Sequence, residues 1–89
     1  MRLDSENVYN EFVLSKGFQG RRNKINKKKF IEITNTLNDH DFITSFSTKE
    51  EAKKALTERA SGSLGIIGFW ILKTVVYWII DKILEHYFG

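Results

Sequence analysis

The chain has 89 residues, 42% of them hydrophobic, and a formal net charge of +3, and it contains neither cysteine nor proline. This length accommodates one small domain and excludes two. The absence of cysteine excludes disulfide cross-links and thiolate sites for zinc or iron–sulfur clusters.

A short amphipathic helix is predicted over roughly residues 5–16. Asp4 or Ser5 provides a side-chain oxygen that can cap the first free N–H groups of this helix. Its apolar residues recur at the spacing of one helical face, namely Val8, Tyr9, Phe12 and Val13. The fold is therefore expected to begin with a helix.

The positive charge is concentrated in a basic segment between residues 16 and 30, which carries no acid. Its basic residues are Lys16, Arg21, Arg22, Lys24, Lys27, Lys28 and Lys29. Such a cluster binds anionic lipid headgroups, binds the phosphates of nucleic acid, or forms an ordinary solvated loop. We take these residues as candidates for binding an anionic partner, which is either lipid headgroups or nucleic acid.

Residues 30–46 allow two structures. The β-branched residues Ile31, Ile33 and Thr34 favour strands, and a short β-hairpin over about 30–46 is one prediction. The spacing of Phe30, Ile33 and Leu37 also fits one face of a helix. The hairpin and the helix therefore both remain open.

An amphipathic helix is predicted over 47–60, where Ser47 and Glu50 have the spacing of a capping box. Its apolar face is thin, which is typical of a solvated connector. Residues 61–63 read Ser-Gly-Ser and predict a hinge. The chain is thus divided into a small, locally basic soluble region at 1–60, this hinge, and a hydrophobic membrane-anchoring helix at 64–88.

The last third of the chain contains an apolar run, residues 64–80, in which Lys73 is the single charged residue. A long helix over about 63–88 is predicted, and it is long enough to cross a hydrocarbon core of about 30 Å. A central lysine costs about 2.5–3.5 kcal/mol on insertion scales, which the surrounding apolar residues offset. The overall prediction is a mainly α fold ending in a single transmembrane span.

The faces of this helix differ. One third of its circumference is a polar stripe that is predicted to mediate contacts between helices, and it consists of Lys73, Thr74, Tyr77, Asp81 and Glu85. Gly65 and Gly68 are predicted to form a packing notch where helices approach closely. The aromatic residues predicted to lie at the membrane interface are Tyr77, Trp78 and Tyr87.

Three placements of this helix are open. It spans a bilayer, it lies flat at the membrane surface with its polar stripe in the headgroups, or it forms the core of a soluble oligomer. In the last case Lys73 pairs across a subunit contact. For a spanning helix, the retention of basic residues inside predicts that the N-terminal part is cytoplasmic or interior-facing.

Signals of catalysis are weak. His40 and His86 are the only histidines, and neither lies in a metal-ligand spacing. No nucleophile elbow and no phosphate-binding P-loop is present. We therefore predict a protein that is not an enzyme and that needs no metal or cofactor.

The order of a short basic region followed by one membrane helix resembles, in organisation, small phage and virus proteins that link a membrane to a shell or genome. This resemblance implies a structural or assembly protein of a virion. Its partners would be a lipid bilayer and other protein chains, in a homo- or hetero-oligomer. The outline also resembles small lysis and superinfection-exclusion proteins, so one alternative is a holin-like protein that assembles through its polar stripe. The other alternative is a soluble oligomeric module with the C-terminal helix as its buried hub.

Overall fold

A computed structural model describes residues 4–15 and 26–89, and these residues form helices without any strand. In chain order the helices are α1 (Ser5–Leu14), α2 (Lys27–Leu37), α3 (His40–Thr44) and α4 (Lys49–Phe88). The prediction of a mainly helical fold with one long apolar C-terminal helix is confirmed.

Helix α1 begins where the sequence indicates. The Asp4 side chain accepts a hydrogen bond from the Glu6 backbone N–H at 3.0 Å. Val8 and Phe12, one turn apart on the predicted apolar face, are buried. The first helix is therefore confirmed, and its buried face packs on α2 through ring contacts of Tyr9 and Phe12 with Phe30.

The β-hairpin considered for residues 30–46 is wrong, because this stretch forms α2 and α3. Phe30, Ile33 and Leu37 lie on one face of α2 and are buried. Burying that face outweighs the local strand preference of the β-branched residues, which is a weak preference that packing overrides.

Threonine side chains in this stretch are accommodated by the helical backbone. The Thr34 hydroxyl donates to the Phe30 carbonyl at 2.9 Å, and the Thr44 hydroxyl donates to the His40 carbonyl at 2.8 Å. Thr34 can therefore be fully buried without an unpaired hydroxyl. Asn26 caps α2 by accepting from the Lys29 N–H at 2.8 Å.

Helix α4 begins one residue later than the predicted capping box. Thr48, not Ser47, is the N-cap, and its hydroxyl oxygen lies 3.2 Å from the Glu51 backbone nitrogen, which donates to it. The Thr48 hydroxyl also lies 3.0 Å from a Glu51 carboxylate oxygen. The cap thus uses Thr48 and Glu51, a pair with the same spacing as Ser47 and Glu50, but the Glu51 carboxylate accepts from the Thr48 hydroxyl and not from the backbone N–H that a capping box uses.

Gly65 interrupts α4 with a φ of 80° and a ψ of 166°, which divides the helix into an N-terminal arm (49–64) and a C-terminal arm (66–88). Residues 61–63, where the sequence predicts a hinge, are helical, and the break lies two residues later. The arms run antiparallel, because Lys53 lies 3.9 Å from Asp81, and Tyr77 lies across a groove from Thr57.

The C-terminal arm is a central element of the core. Its fully or almost fully buried residues are Val75, Val76, Ile79, Ile80, Ile83 and Leu84. They share one hydrophobic cluster with Phe12 of α1, Phe30 of α2 and Leu56 of the N-terminal arm. The described parts of the two predicted regions, 4–15 and 26–60 in one and 64–88 in the other, therefore pack on each other.

Candidate functional site

Four large apolar side chains are exposed where α4 reverses direction, and we call them the apex. They are Ile66 and Ile67, each 76% exposed, and Trp70 and Ile71, each 67% exposed. Monomeric soluble proteins rarely leave such a cluster in water, and it commonly marks a surface that binds a membrane or another protein. The apex is therefore the candidate functional site.

Local geometry explains why these residues are exposed. The spacing of 66, 67, 70 and 71 places them on one side of the C-terminal arm. Further along the arm, that side carries the polar stripe, and the opposite side faces the core. Trp78, where α1 and α2 pack, lies 12 residues beyond Ile66, so the apex projects about 18 Å past those contacts.

Lys73 is directly adjacent to the apex. Its Nζ atom lies 4.8 Å from the centroid of the Trp70 ring and 5.9 Å from that of the Tyr77 ring. It forms no ion pair with any carboxylate in residues 4–15 and 26–89. Lys73 is therefore a half-buried cation held against aromatic faces, and its charge is not neutralised by a described acid.

Three other members of the predicted polar stripe, Thr74, Asp81 and Glu85, face solvent. Asp81 pairs with Lys53 of the N-terminal arm at 3.9 Å, and Glu85 pairs with Lys82 at 3.7 Å. Thr74 is exposed. In the folded chain, the acids of this stripe thus contact lysines of the same chain.

The predicted interfacial aromatics separate into two groups. Trp78 packs in the fold, with its ring centroid 5.4 Å from that of Phe12, and the Tyr87 hydroxyl donates to the Asn38 side chain at 3.1 Å. Tyr77 remains half-exposed near Phe69. Of these aromatics, Tyr77 is the one nearest the apex, whereas Trp70 occupies the apex itself.

A groove of about 570 Å³ lies between the two arms of α4. It is lined by Glu50, Lys53, Lys54, Thr57, Glu58 and Tyr77. Its walls carry two acids and two lysines, so their formal charges cancel.

The structure describes only part of the predicted basic segment. Lys16, Arg21, Arg22 and Lys24 lie outside the described residues. Lys27 pairs with Glu6 at 3.3 Å, whereas Lys28 and Lys29 are exposed and form no ion pair within the described part of the chain. Two free lysines thus remain at the start of α2.

The predicted glycine notch has a different setting at each residue. Gly65 is exposed at the helix break, and a Cβ built on it would meet nothing within 4 Å. A Cβ on Gly68 would lie 3.5 Å from the Leu64 Cβ, which is an ordinary contact. Gly65 therefore sets the reversal of the chain, and no described helix packs on it.

The membrane prediction is supported only in its general form. Helix α4 contains an 18-residue window with a mean hydropathy of 1.8, which is long and apolar enough to cross a membrane. Within that window 22% of the residues are buried. A core helix of a soluble protein passes the same test, so this helix is weak evidence for membrane association.

The sequence contains a signal for the apex that hydropathy and helix length alone do not reveal. Ile66, Ile67 and Ile71 lie on the side of the helix that bears Lys73 and Asp81 further along. Apolar residues on the same side of a helix as a polar stripe are candidates for exposure to solvent. Their exposure could not be predicted without knowing that the chain reverses at Gly65.

The acidic turn before α3 has a structural role. Asp39 caps α3 by accepting from the Phe42 N–H at 3.3 Å, and it pairs with Arg59 at 3.5 Å.

Among residues 4–15 and 26–89, no three His, Cys, Asp or Glu side chains are grouped as metal ligands.

No protein-family model, no curated protein and no solved structure matches this chain. Its function must therefore be inferred from the apex and from the charges around it.

Proposed function

We propose that this chain is a small non-enzymatic structural or assembly protein that attaches to a lipid bilayer through its apex. The observation that carries the proposal is the exposure of Ile66, Ile67, Trp70 and Ile71 on one side of the helix at the reversal of α4. In this proposal the rest of the fold stays outside the membrane and is available to contact other protein chains.

The apolar surface at the apex is large enough to drive attachment. Complete burial of one isoleucine side chain contributes about 1.5–3 kcal/mol relative to full exposure. Ile66, Ile67 and Ile71 each retain two thirds or more of their exposure in the folded chain. Most of this contribution is therefore still available to an interaction with lipid.

Trp70 in the apex and the residues just beyond it suit a membrane interface. Tryptophan and tyrosine favour the headgroup layer because their rings are apolar and their N–H or O–H groups are polar. Trp70 and Tyr77 flank Lys73, whose long side chain can carry its charge to the headgroups. Lys73 lies seven residues beyond Ile66, so the apex would enter to a depth of about 10 Å.

Shallow attachment fits the folded chain better than a span. A span over 64–88 would remove Val76, Ile79 and Ile83 from the core and expose Phe12 and Phe30 to water. It would also break the contacts that Asp81 makes with Lys53 and that Lys82 makes with Glu11. Shallow attachment keeps these contacts.

Flotation of the full chain with phospholipid vesicles tests the attachment. The wild-type chain is expected to float with the vesicles. The double substitution Ile67→Gln/Ile71→Gln is expected to lower partitioning at least about tenfold, since about 1.4 kcal/mol corresponds to a factor of ten. Glutamine keeps the helix propensity high, so the arm should still fold.

Leu14→Gln is the matched control, because Leu14 is 76% exposed but lies in α1. Its substitution should leave flotation unchanged. A wild-type chain that stays at the bottom of the gradient with every vesicle composition would disprove the attachment. If Leu14→Gln and the apex variant lost flotation equally, attachment would depend on exposed apolar side chains in general and not on the apex.

Extraction of membranes with alkaline carbonate separates the two modes of attachment. A shallowly attached chain is released, and a spanning chain is retained. If the chain is retained, the C-terminal arm has left the core and spans the bilayer. The basic N-terminal part would then be expected on the cytoplasmic side.

A second candidate function uses the same surface. The exposed apex also suits contact between copies of this chain, as in a soluble oligomeric module. Gel filtration without lipid distinguishes this candidate. An oligomer that Ile67→Gln/Ile71→Gln converts to a monomer, without any flotation of the wild-type chain, would favour it.

A further inference from the structure

Charge is distributed unevenly along α4. Residues 60–80, which form the reversal and the segments on both sides of it, carry one charged residue, Lys73. Glu58 and Arg59 lie seven and six residues before Gly65, whereas the other acids of α4, Glu50, Glu51, Asp81 and Glu85, lie at the opposite end of the two arms. Within eight residues of Gly65 the charged residues are thus Glu58, Arg59 and Lys73, with a net charge of +1. The apical end of this hairpin is therefore positive.

Helix α2 adds two cations at the level of Trp78, near the middle of the C-terminal arm. Its first turn lies beside the C-terminal arm at Trp78, since the Phe30 and Trp78 ring centroids are 6.3 Å apart. Its end lies beside Tyr87, whose hydroxyl donates to Asn38. Helix α2 thus runs parallel to the C-terminal arm, and its N-terminus, with Lys28 and Lys29, points toward the apex.

The direction of the side chains further increases the positive charge on the apical side of the molecule. Side chains on a helix tilt toward its N-terminus. Lys28, Lys29 and Lys73 therefore lean toward the apex, and Lys73 does so visibly by reaching back to Trp70. Lysines of the N-terminal arm lean away from the apex, because the direction of that arm is reversed.

The geometry points to the phosphates of anionic phospholipids as the ligand of Lys28, Lys29 and Lys73, which we call the collar. This inference rests on the proposed attachment of the apex to a membrane. When the apex enters one leaflet, Lys73 lies at the headgroup level, and Lys28 and Lys29 approach from outside it. None of the three is neutralised by an ion pair with a described carboxylate.

Lipid suits the collar better than nucleic acid does. The exposed apolar residues project beyond all three lysines, and this projection would hold a phosphate backbone away from Lys73. In a bilayer, the same projection enters the hydrocarbon while the cations stay among the phosphates. Each lysine near an anionic surface strengthens binding about fivefold, and salt weakens this contribution.

The test compares flotation of the full chain with two kinds of vesicle, phosphatidylcholine alone and phosphatidylcholine mixed with phosphatidylglycerol. The wild-type chain is expected to bind the mixed vesicles more tightly, with a preference that salt removes. Lys73→Gln is expected to weaken binding to the mixed vesicles about fivefold, and Lys28→Gln/Lys29→Gln by more. Binding to phosphatidylcholine alone should not fall.

Lys49→Gln and Lys54→Gln are matched controls. Both lysines are exposed and form no ion pair with a described acid, but they lie on the N-terminal arm and lean away from the apex. Their substitution should change neither binding constant. Lys73→Arg should restore the preference for anionic lipid, and circular dichroism should be unchanged in every variant.

The outcomes separate the two proposals. If the wild-type chain binds neither vesicle, the attachment of the apex fails, and the inference fails with it. Equal binding to both vesicles, or equal losses for Lys49→Gln and Lys73→Gln, overturns the inference alone. Duplex DNA serves as a competing probe. Collar substitutions that weaken DNA binding but not vesicle binding would assign the collar to nucleic acid and overturn the proposal.

Discussion

The Trp78 ring packs against the Phe12 ring with a centroid distance of 5.4 Å and an interplanar angle of 71°. This contact joins the first helix of the chain to the arm with the most apolar sequence. Both rings also lie near Phe30 of α2, at centroid distances of 4.8 Å from Phe12 and 6.3 Å from Trp78. The C-terminal arm is therefore held in the fold by aromatic contacts as well as by its aliphatic face.

Removal of this aromatic contact should destabilise the whole domain. Phe12 is 1% exposed, and Phe12→Ala is expected to lower the free energy of unfolding by about 3–5 kcal/mol through lost burial and a cavity. Thermal unfolding followed by circular dichroism measures this change. Leu14→Ala, at a residue that is 76% exposed, should change stability by less than about 0.5 kcal/mol. Similar effects of the two substitutions would contradict the packing of α1.

The reversal at Gly65 should depend on glycine. Its φ of 80° with a ψ of 166° belongs to a region that is open essentially to glycine alone. Gly65→Ala is expected to destabilise the fold by about 1–3 kcal/mol, although a Cβ would meet no neighbour. Chemical denaturation provides the measurement.

Gly62 supplies the control for that substitution. It is helical and exposed, with nothing within 4 Å of a built Cβ. Gly62→Ala should therefore stabilise the N-terminal arm by about 0.5–1 kcal/mol. If Gly65→Ala also stabilised the chain, α4 would be a continuous helix in solution and the apex would not exist as described.

Asp39 should stabilise the start of α3 mainly as a cap. Asp39→Ala is expected to cost about 1–2 kcal/mol, because the Phe42 N–H loses its acceptor. Asp39→Asn keeps a capping oxygen and loses only the partly exposed ion pair with Arg59, which contributes about 0–1 kcal/mol. Urea denaturation measures the free energy of unfolding of both variants and should show the larger loss for Asp39→Ala. Equal losses would assign the stabilisation to the ion pair.

The two tryptophans should report differently on membrane attachment. In Trp78→Phe, the remaining Trp70 is expected to shift its fluorescence to shorter wavelength and to lose accessibility to acrylamide when vesicles are added. In Trp70→Phe, the half-buried Trp78 should change little, because it stays packed against Phe12. A large change at Trp78 would mean that the C-terminal arm leaves the core on binding.

The helices could be predicted where the signal was local. Asp4 as a cap and the spacing of Val8 and Phe12 were sufficient for α1. In α2, the strand preference of Ile31 competed with the helical spacing of Phe30, Ile33 and Leu37, and local information could not choose between them. Packing in the core favours the helix over the strand, because the helix buries Phe30, Ile33 and Leu37 together.

By itself, the sequence determined that the chain is mainly helical, that its basic residues are clustered, and that its last helix has a polar and an apolar side. These properties depend on residues within a few turns of one another. Only the tertiary structure decided that Trp78 and Tyr87 pack against the core and that Ile66, Ile67, Trp70 and Ile71 are exposed. The physical reason is the reversal at Gly65, which brings the two arms together and leaves the apolar side chains of the turn uncovered by residues 4–15 and 26–89.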